Sequence, residues 1–304
     1  YGASLLSCVL AMKTKENSFT LPLMILSVEV AFFRPLTRSR WLTLIPFLLT
    51  LLMIPLARGD ILGESERFLR DVTPTTRLEY LFTSFRAIVT YLRLLVLPLN
   101  QNLDYEYPIY DSLFHPSVFL SFLFLSSLLG LALWNLFRPD AATQDPRRRL
   151  IAFGVLWFFL TLSVESSIVP IRDALVEYRV YLPSVGFFLA VSLIAVRKWQ
   201  GLKKTRVPFA VFGFLIVGGL SVAPYHRNLV WADPVTLWQD VLKKAPRNAR
   251  AHNNLGHSYM QQNRLEEALQ AFQAALKIQP DIPKTHYNIG NIYAASGKLE
   301  EAIT

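Results

Sequence analysis

With one cysteine in 304 residues, Cys8, the sequence excludes an intramolecular disulfide framework and any cysteine-built zinc site. Charge is scarce too. Charged residues make up 17% of the chain and apolar residues 52%, a balance that excludes disorder, collagen and coiled coil. The histidines are scattered, and no two stand at a helical zinc-ligand spacing with a glutamate between them. The remaining charge leans positive, with 31 Lys and Arg against 22 Asp and Glu. No segment gathers it into a basic face, so nucleic acid is not an expected partner.

The apolar residues come in long blocks: 1–12, 19–33, 41–57, 117–136, 150–164, 182–196 and 207–224. They read as membrane-spanning helices, some shorter than the roughly 20 residues of an ideal span and extended by flanking Arg, Lys and aromatic side chains. Basic residues concentrate between them: Arg34, Arg38 and Arg40; Arg138 and Arg147 to Arg149; and Arg197, Lys198, Lys203, Lys204 and Arg206. By the positive-inside rule 34–40, 137–149 and 197–206 are cytoplasmic. Segment 99–116 has no Lys or Arg and reads as external, as does the tail after 224. That topology closes only if 80–98 does not cross. Arg86 and Arg93 would each cost about 2.5–3.5 kcal/mol at mid-bilayer. Residues 58–116 are therefore expected to form one long external loop carrying an interfacial helix over 80–98.

From 225 the composition changes and a period of 34 appears. Leu255 recurs as Ile289, Gly256 as Gly290, Tyr259 as Tyr293, Ala268 as Ala302 and Pro246 as Pro280. This is the tetratricopeptide spacing, with Leu255, Gly256, Tyr259, Ala268, Phe272, Ala275 and Pro280 at its signature places. Small residues let two antiparallel helices approach, aromatics fill between them, and proline ends the second helix. Trp238 and Pro246 fit the last helix of a preceding half-repeat. Such repeats present a concave surface to a protein or peptide. The expected fold class is all-α: a polytopic transmembrane bundle over 1–224 followed by a tetratricopeptide-repeat solenoid over 225–304. Tyr1 opens inside an apolar run and Thr304 closes inside a repeat, so the sequence reads as a piece of a longer chain.

Four stretches together carry a resemblance: LAMKTKENSFTLPL at 10–23, YLRLLVLPLNQNLDYEYPIY at 91–110, VPIRDALVEYRVYLPSVGF at 169–187 and RNLVWADPVTLW at 227–238. Their order resembles bacterial polytopic membrane proteins with C-terminal repeats, which are similar to the transmembrane and tetratricopeptide-repeat O-mannosyltransferases of the GT-C glycosyltransferase class. The resemblance implies a transferase using a polyprenyl-phosphate-linked sugar, an external acceptor, and a bacterial inner-membrane location with the repeats in the periplasm. It also implies a catalytic acidic residue in a first external loop. No stretch here matches that motif, so the catalytic residue is unknown and expected upstream, and this chain alone is expected to be inactive.

Several side chains have two readings each. Lys13 and Glu16, between two blocks, are either a charged pair at the active site, with Lys13 near a phosphate, or interfacial anchors. Glu165, Arg172, Asp173, Glu177, Arg179 and Tyr181 crowd one loop, and charges so close to apolar spans are usually paired or functional. Glu177, Arg179 and Tyr181 resemble the family's acidic–x–Arg–x–Tyr–Leu–Pro pattern and are expected in an active-site loop; the other reading is an internal salt-bridge knot. Asp104, Glu106 and Asp111 alternate with Tyr105, Tyr107 and Tyr110, as would suit a sugar, a divalent metal held by oxygens, or a plain aromatic belt. No cofactor is certain, and a divalent metal stays open. Glu29 either snorkels or relays protons. His252 and His286 occupy the same repeat position and are expected to serve repeat packing. Arg86 and Arg93 share one flank of their helix with Glu79, Thr83 and Thr90, beside an apolar face of Phe85, Val89, Leu92 and Val96. With Lys13 they would hold the donor phosphate, or else anchor lipid headgroups. The competing function is a non-catalytic membrane scaffold that recruits proteins through its repeats; a transporter is the weaker third.

Overall fold

The computed structural model describes residues 1–14, 16–33, 37–53, 75–138, 146–166, 170–201 and 206–303. The regular structure is helical, with no strand among the described residues. The chain divides into two compact units: Tyr1–Leu97 with Pro108–Phe209, and Pro98–Tyr107 with Ala210–Thr304.

The first unit opens with α1 (Gly2–Thr14), a short 3-10 turn, α2 (Leu21–Phe32) and α3 (Arg38–Leu49). Pro22 sits in the first turn of α2, where its missing N–H costs nothing. Thr37 caps α3 by accepting the Arg40 amide. Cys8, Met12 and Phe47 form one small core. Glu29, near the end of α2, accepts a bond of 3.1 Å from Arg40 Nη1, and the same guanidinium lies over the Phe33 ring. Glu29 is thus an ion-pair partner.

Helix α4 (Arg77–Val96) starts three residues before the expected 80. The reason is a capping box. Thr76 Oγ1 accepts the Glu79 amide, and Glu79 Oε2 accepts the Thr76 amide at 2.8 Å. The helix stops before Pro98, which disfavours helical geometry at Leu97. Then follow α5 (Pro116–Phe137), α6 (Pro146–Leu162) and α7 (Tyr181–Gly201). Val30, Ala31, Ala132, Leu136, Ala152, Phe153 and Leu156 join α2, α5 and α6 in a second core. Gly154 and Gly186 set the approach of α6 to α7. A Cβ on Gly154 would meet the Gly186 carbonyl at 2.6 Å, and one on Gly186 would meet Trp157 Cβ at 2.7 Å. Small residues at a helix crossing are a common device of membrane bundles.

Residues Pro116–Phe137 and Glu177–Gln200 are long and apolar enough to cross a membrane; Gly2–Thr14 and Ser18–Phe32 are apolar but shorter. Helix α5 exposes Leu120, Leu131 and Trp134, and little of it is buried, unlike the core helix of a soluble domain. Helix α8 (Arg206–Trp231) carries Pro224 in its interior and continues past the composition change at 225. Arg34, Lys203, Lys204 and the loop residues 58–74 lie outside the described residues, as does the side chain of Arg206.

In the second unit, α9 (Pro234–Lys244), α10 (Ala249–Gln261), α11 (Leu265–Ile278), α12 (Pro283–Ala295) and α13 (Leu299–Ile303) follow one another with short turns. Val235, Leu255, Tyr259, Ala268, Ala271, Phe272 and Ile292 make the core, with Trp238 packed on it as the half-repeat reading expects. Gly256 lies against the Phe272 side chain, and an added Cβ would come within 2.7 Å of the ring. The 34-residue period extends to the hydrogen bonds. His252 Nε2 lies 3.1 Å from the Pro246 carbonyl and His286 Nε2 lies 2.8 Å from the Pro280 carbonyl. The inter-helix turns repeat as well. Asn263 (φ 58°) and Gly297 (φ 76°) take the left-handed conformation, after which Arg264 and Lys298 return amide bonds of 2.9 Å to Tyr259 and Tyr293. Both cations then lie over those tyrosine rings, at 4.4 and 6.0 Å.

Candidate functional site

The candidate site is built round α4, whose two faces differ in chemistry. The inner face buries Tyr80, Thr83, Ser84, Ala87, Ile88, Tyr91 and Leu94, spaced three and four apart as one side of a helix requires. Three of these carry hydroxyls that bond distant backbone. Tyr80 donates to the Glu165 carbonyl at 2.6 Å. Tyr91 accepts the Val176 amide at 2.9 Å, and Thr83 accepts the Tyr110 amide at 2.9 Å. Burial pushes the Tyr91 hydroxyl up to about 12. Burial also raises Tyr80, with the Arg179 charge pulling partly the other way. Both phenols therefore keep their protons at neutral pH and serve as hydrogen-bonding tips, not as bases.

Arg179 completes this cluster. Its side chain is 2% exposed and its Nε lies 3.3 Å from Glu165 Oε2. A guanidinium taken so far from water must be paired, and truncating one partner of such a pair typically costs about 3–5 kcal/mol. Within loop 165–181, Arg179 and Glu165 face each other as an ion pair. Tyr181, by contrast, is 85% exposed, and Glu177 is half-buried at the start of a 3-10 turn.

The outer side of α4 carries Arg86, half-buried, and Arg93, exposed, two turns apart. Two details of the expected flank change. Thr83 turns inward and is fully buried, because its hydroxyl takes the Tyr110 amide. Phe85 packs on Phe122 of α5, ring centres 5.2 Å apart, which covers part of the apolar stripe. Val96 stays exposed at the helix end. Lys13 is exposed near the end of α1. The Glu16 side chain lies outside the described residues.

Asp104 is buried and held by Arg250, while Glu106 is exposed. Among the described residues no three His, Cys, Asp or Glu side chains converge as metal ligands would.

The sequence reading did not single out Tyr80 and Tyr91, which organise the cluster. Their signal was present: two tyrosines three turns apart on one helix side, in line with the small residues Ser84 and Ala87, mark a packed face with polar tips.

Comparison with known proteins gives two kinds of likeness. Residues 256–297 match the family described as TPR repeat, and 237–270 match the one described as Tetratricopeptide repeat. Among curated proteins, the chain is similar to Protein O-mannosyl-transferase TMTC3 of Homo sapiens, 30% identical over 110 residues, covering 35% of this chain and 12% of that protein. It is 28% identical over 122 residues to Protein O-mannosyl-transferase Tmtc3 of Drosophila melanogaster, covering 39% and 13%. With the Mus musculus protein it shares 25% over 172 residues, covering 55% and 18%. The matched stretch spans less than a fifth of each relative's own length. No solved structure matches.

Proposed function

We propose that this chain belongs to a membrane-embedded glycosyltransferase-like protein that moves a sugar from a polyprenyl-phosphate donor to an acceptor outside the membrane. Residues 1–224 are the membrane part, in a bacterial inner membrane, and the repeats from 225 bind the acceptor or a partner protein in the periplasm. The similarity to O-mannosyl-transferases supports the reaction class, and the tetratricopeptide matches support the recruiting role.

The observation that supports the donor side is the chemistry of α4, which carries Arg86, half-buried, and Arg93, exposed, two turns apart. Arginine suits bidentate phosphate contacts, and a lipid-linked sugar presents its phosphate at headgroup depth, where an amphipathic helix lies. In this reading Arg86, Arg93 and Lys13 hold the phosphate. Glu16, Glu177, Arg179 and Tyr181 belong to the loops that frame the site, with Arg179 fixing loop geometry through Glu165.

The test is donor binding by the detergent-solubilised protein. Arg86→Gln with Arg93→Gln is expected to weaken binding of a polyprenyl-phosphate sugar at least ten-fold, with thermal unfolding unchanged. Binding as tight as the parent's would reduce the arginines to lipid anchors. The second reading, a non-catalytic scaffold recruiting proteins through the repeats, rests on the same tetratricopeptide matches. It gains if neither donor binding nor transfer is found.

A further inference from the structure

Within the second unit a segment from far upstream lies on the first repeat. Residues 98–107 form no regular element, yet Asn102 and Asp104 are buried, Gln101, Leu103 and Tyr105 half-buried, and Glu106 exposed. Asn100 takes a left-handed turn (φ 57°), and the Tyr105 hydroxyl accepts the Asn102 amide, which fixes the bend. The segment is then tied by charge. Arg250, in the first turn of α10, clasps Asp104 through two nitrogens, with Nε 2.6 Å from Oδ2. Lys244, at the end of α9, donates to the Gln101 carbonyl at 2.7 Å. A two-pronged guanidinium–carboxylate pair is the geometry by which proteins recognise acidic groups.

Two observations separate this contact from ordinary architecture. The core of the repeats is built from α9 to α12, and among the described residues none of 98–107 belongs to it. Charge is also complementary along both partners: 98–107 has no Lys or Arg and carries Asp104 and Glu106, while 243–250 carries Lys243, Lys244, Arg247 and Arg250.

We propose that the Lys244–Arg250 corner of the repeats is a recognition site for an acidic, tyrosine-containing peptide of a partner protein, and that residues 98–107 are its occupant in cis. Tethering gives the segment an effective concentration on the order of millimolar, so a partner peptide enters only when it binds tightly or when the segment is drawn away. The proposal rests on the repeats being a protein-binding surface and is independent of sugar transfer.

The test uses the whole chain in detergent and a fluorescent peptide of residues 98–107 as the probe. Asp104→Lys sets two cations against each other and should eject the segment. The expected result is loss of amide-exchange protection over 98–107 with protection of 249–278 retained, together with probe binding at least ten-fold tighter than to the parent. Arg250→Gln added to Asp104→Lys should abolish that binding, as should a probe with asparagine in place of its aspartate. Unchanged probe binding, or loss of protection across 249–278, would overturn the proposal, the latter by making the segment part of the repeat fold. Dimer formation by Asp104→Lys would overturn it too, by making a second copy the occupant. The readout is confined to Arg250, so failure here leaves recruitment by the remaining repeat surface and donor binding by α4 to their own tests.

Discussion

Phe272 occupies the space that a side chain at position 256 would need. The glycine was legible because it recurs at 290 in a repeat register; its partner ring was legible as the signature aromatic of the following helix. Gly256→Leu is expected to cost more than about 2 kcal/mol through overpacking, as measured by denaturant unfolding of the chain. A neutral result would displace the register. Asp240 provides a pH-dependent case. Burial alone would raise its pKa, but hydrogen bonds from Lys244 (2.7 Å) and from Arg227 outweigh it, so the carboxyl lies below its ordinary range. The unfolded chain then takes up the proton first as pH falls. The stabilisation is complete above about pH 4 and is lost as pH falls through the lower folded value. Asp240→Asn should remove that part, so melting temperatures followed from pH 7 to pH 3 should drop less steeply for the variant than for the parent. The Tyr91 contact was not legible in the same way, since nothing in a sequence pairs residue 91 with the backbone of 176. Tyr91→Phe leaves the Val176 amide unmatched and is expected to cost about 1–3 kcal/mol.

At the scale of elements, the apolar segment 80–98 placed α4, the apolar block 117–136 placed α5 and the 34-residue period placed the repeat helices, and their ends differ from expectation for nameable reasons. The Thr76–Glu79 capping box starts α4 early. Composition changes at 225, but α8 runs on to Trp231 because helical hydrogen bonding is indifferent to the change from apolar to polar side chains. The faces of α4 were legible only in part. Periodicity gives the angle between residues and does not say which stripe meets protein, and Thr83 went inward because a backbone amide waited there. Turns can be tested most sharply at Asn263, whose left-handed backbone has glycine at the equivalent position 297. Asn263→Gly should be near neutral, whereas Asn263→Val should cost about 1–2 kcal/mol in the same unfolding measurement. Equal effects of the two would mean that the turn does not need a positive φ.

For the whole molecule, charge asymmetry between loops predicts sidedness. With Cys8 replaced by serine, single cysteines at 142 and 201 should resist an impermeant thiol reagent in intact cells and one at 297 should react. Labelling at 142 or 201, or protection at 297, would invert the topology. Repeats and apolar blocks were legible because each is a local pattern, the first periodic and the second a continuous run. The pairing of Asp104 with Arg250 was not, because it joins residues 146 positions apart and leaves no period behind. The same separation sets a clock. At a synthesis rate of about 5–20 residues per second, roughly 7–30 s pass between the emergence of the aspartate and that of the arginine that receives it. Throughout that interval the acidic segment is finished, displayed and unclaimed, so whatever meets it first during biogenesis competes with the chain's own unborn end.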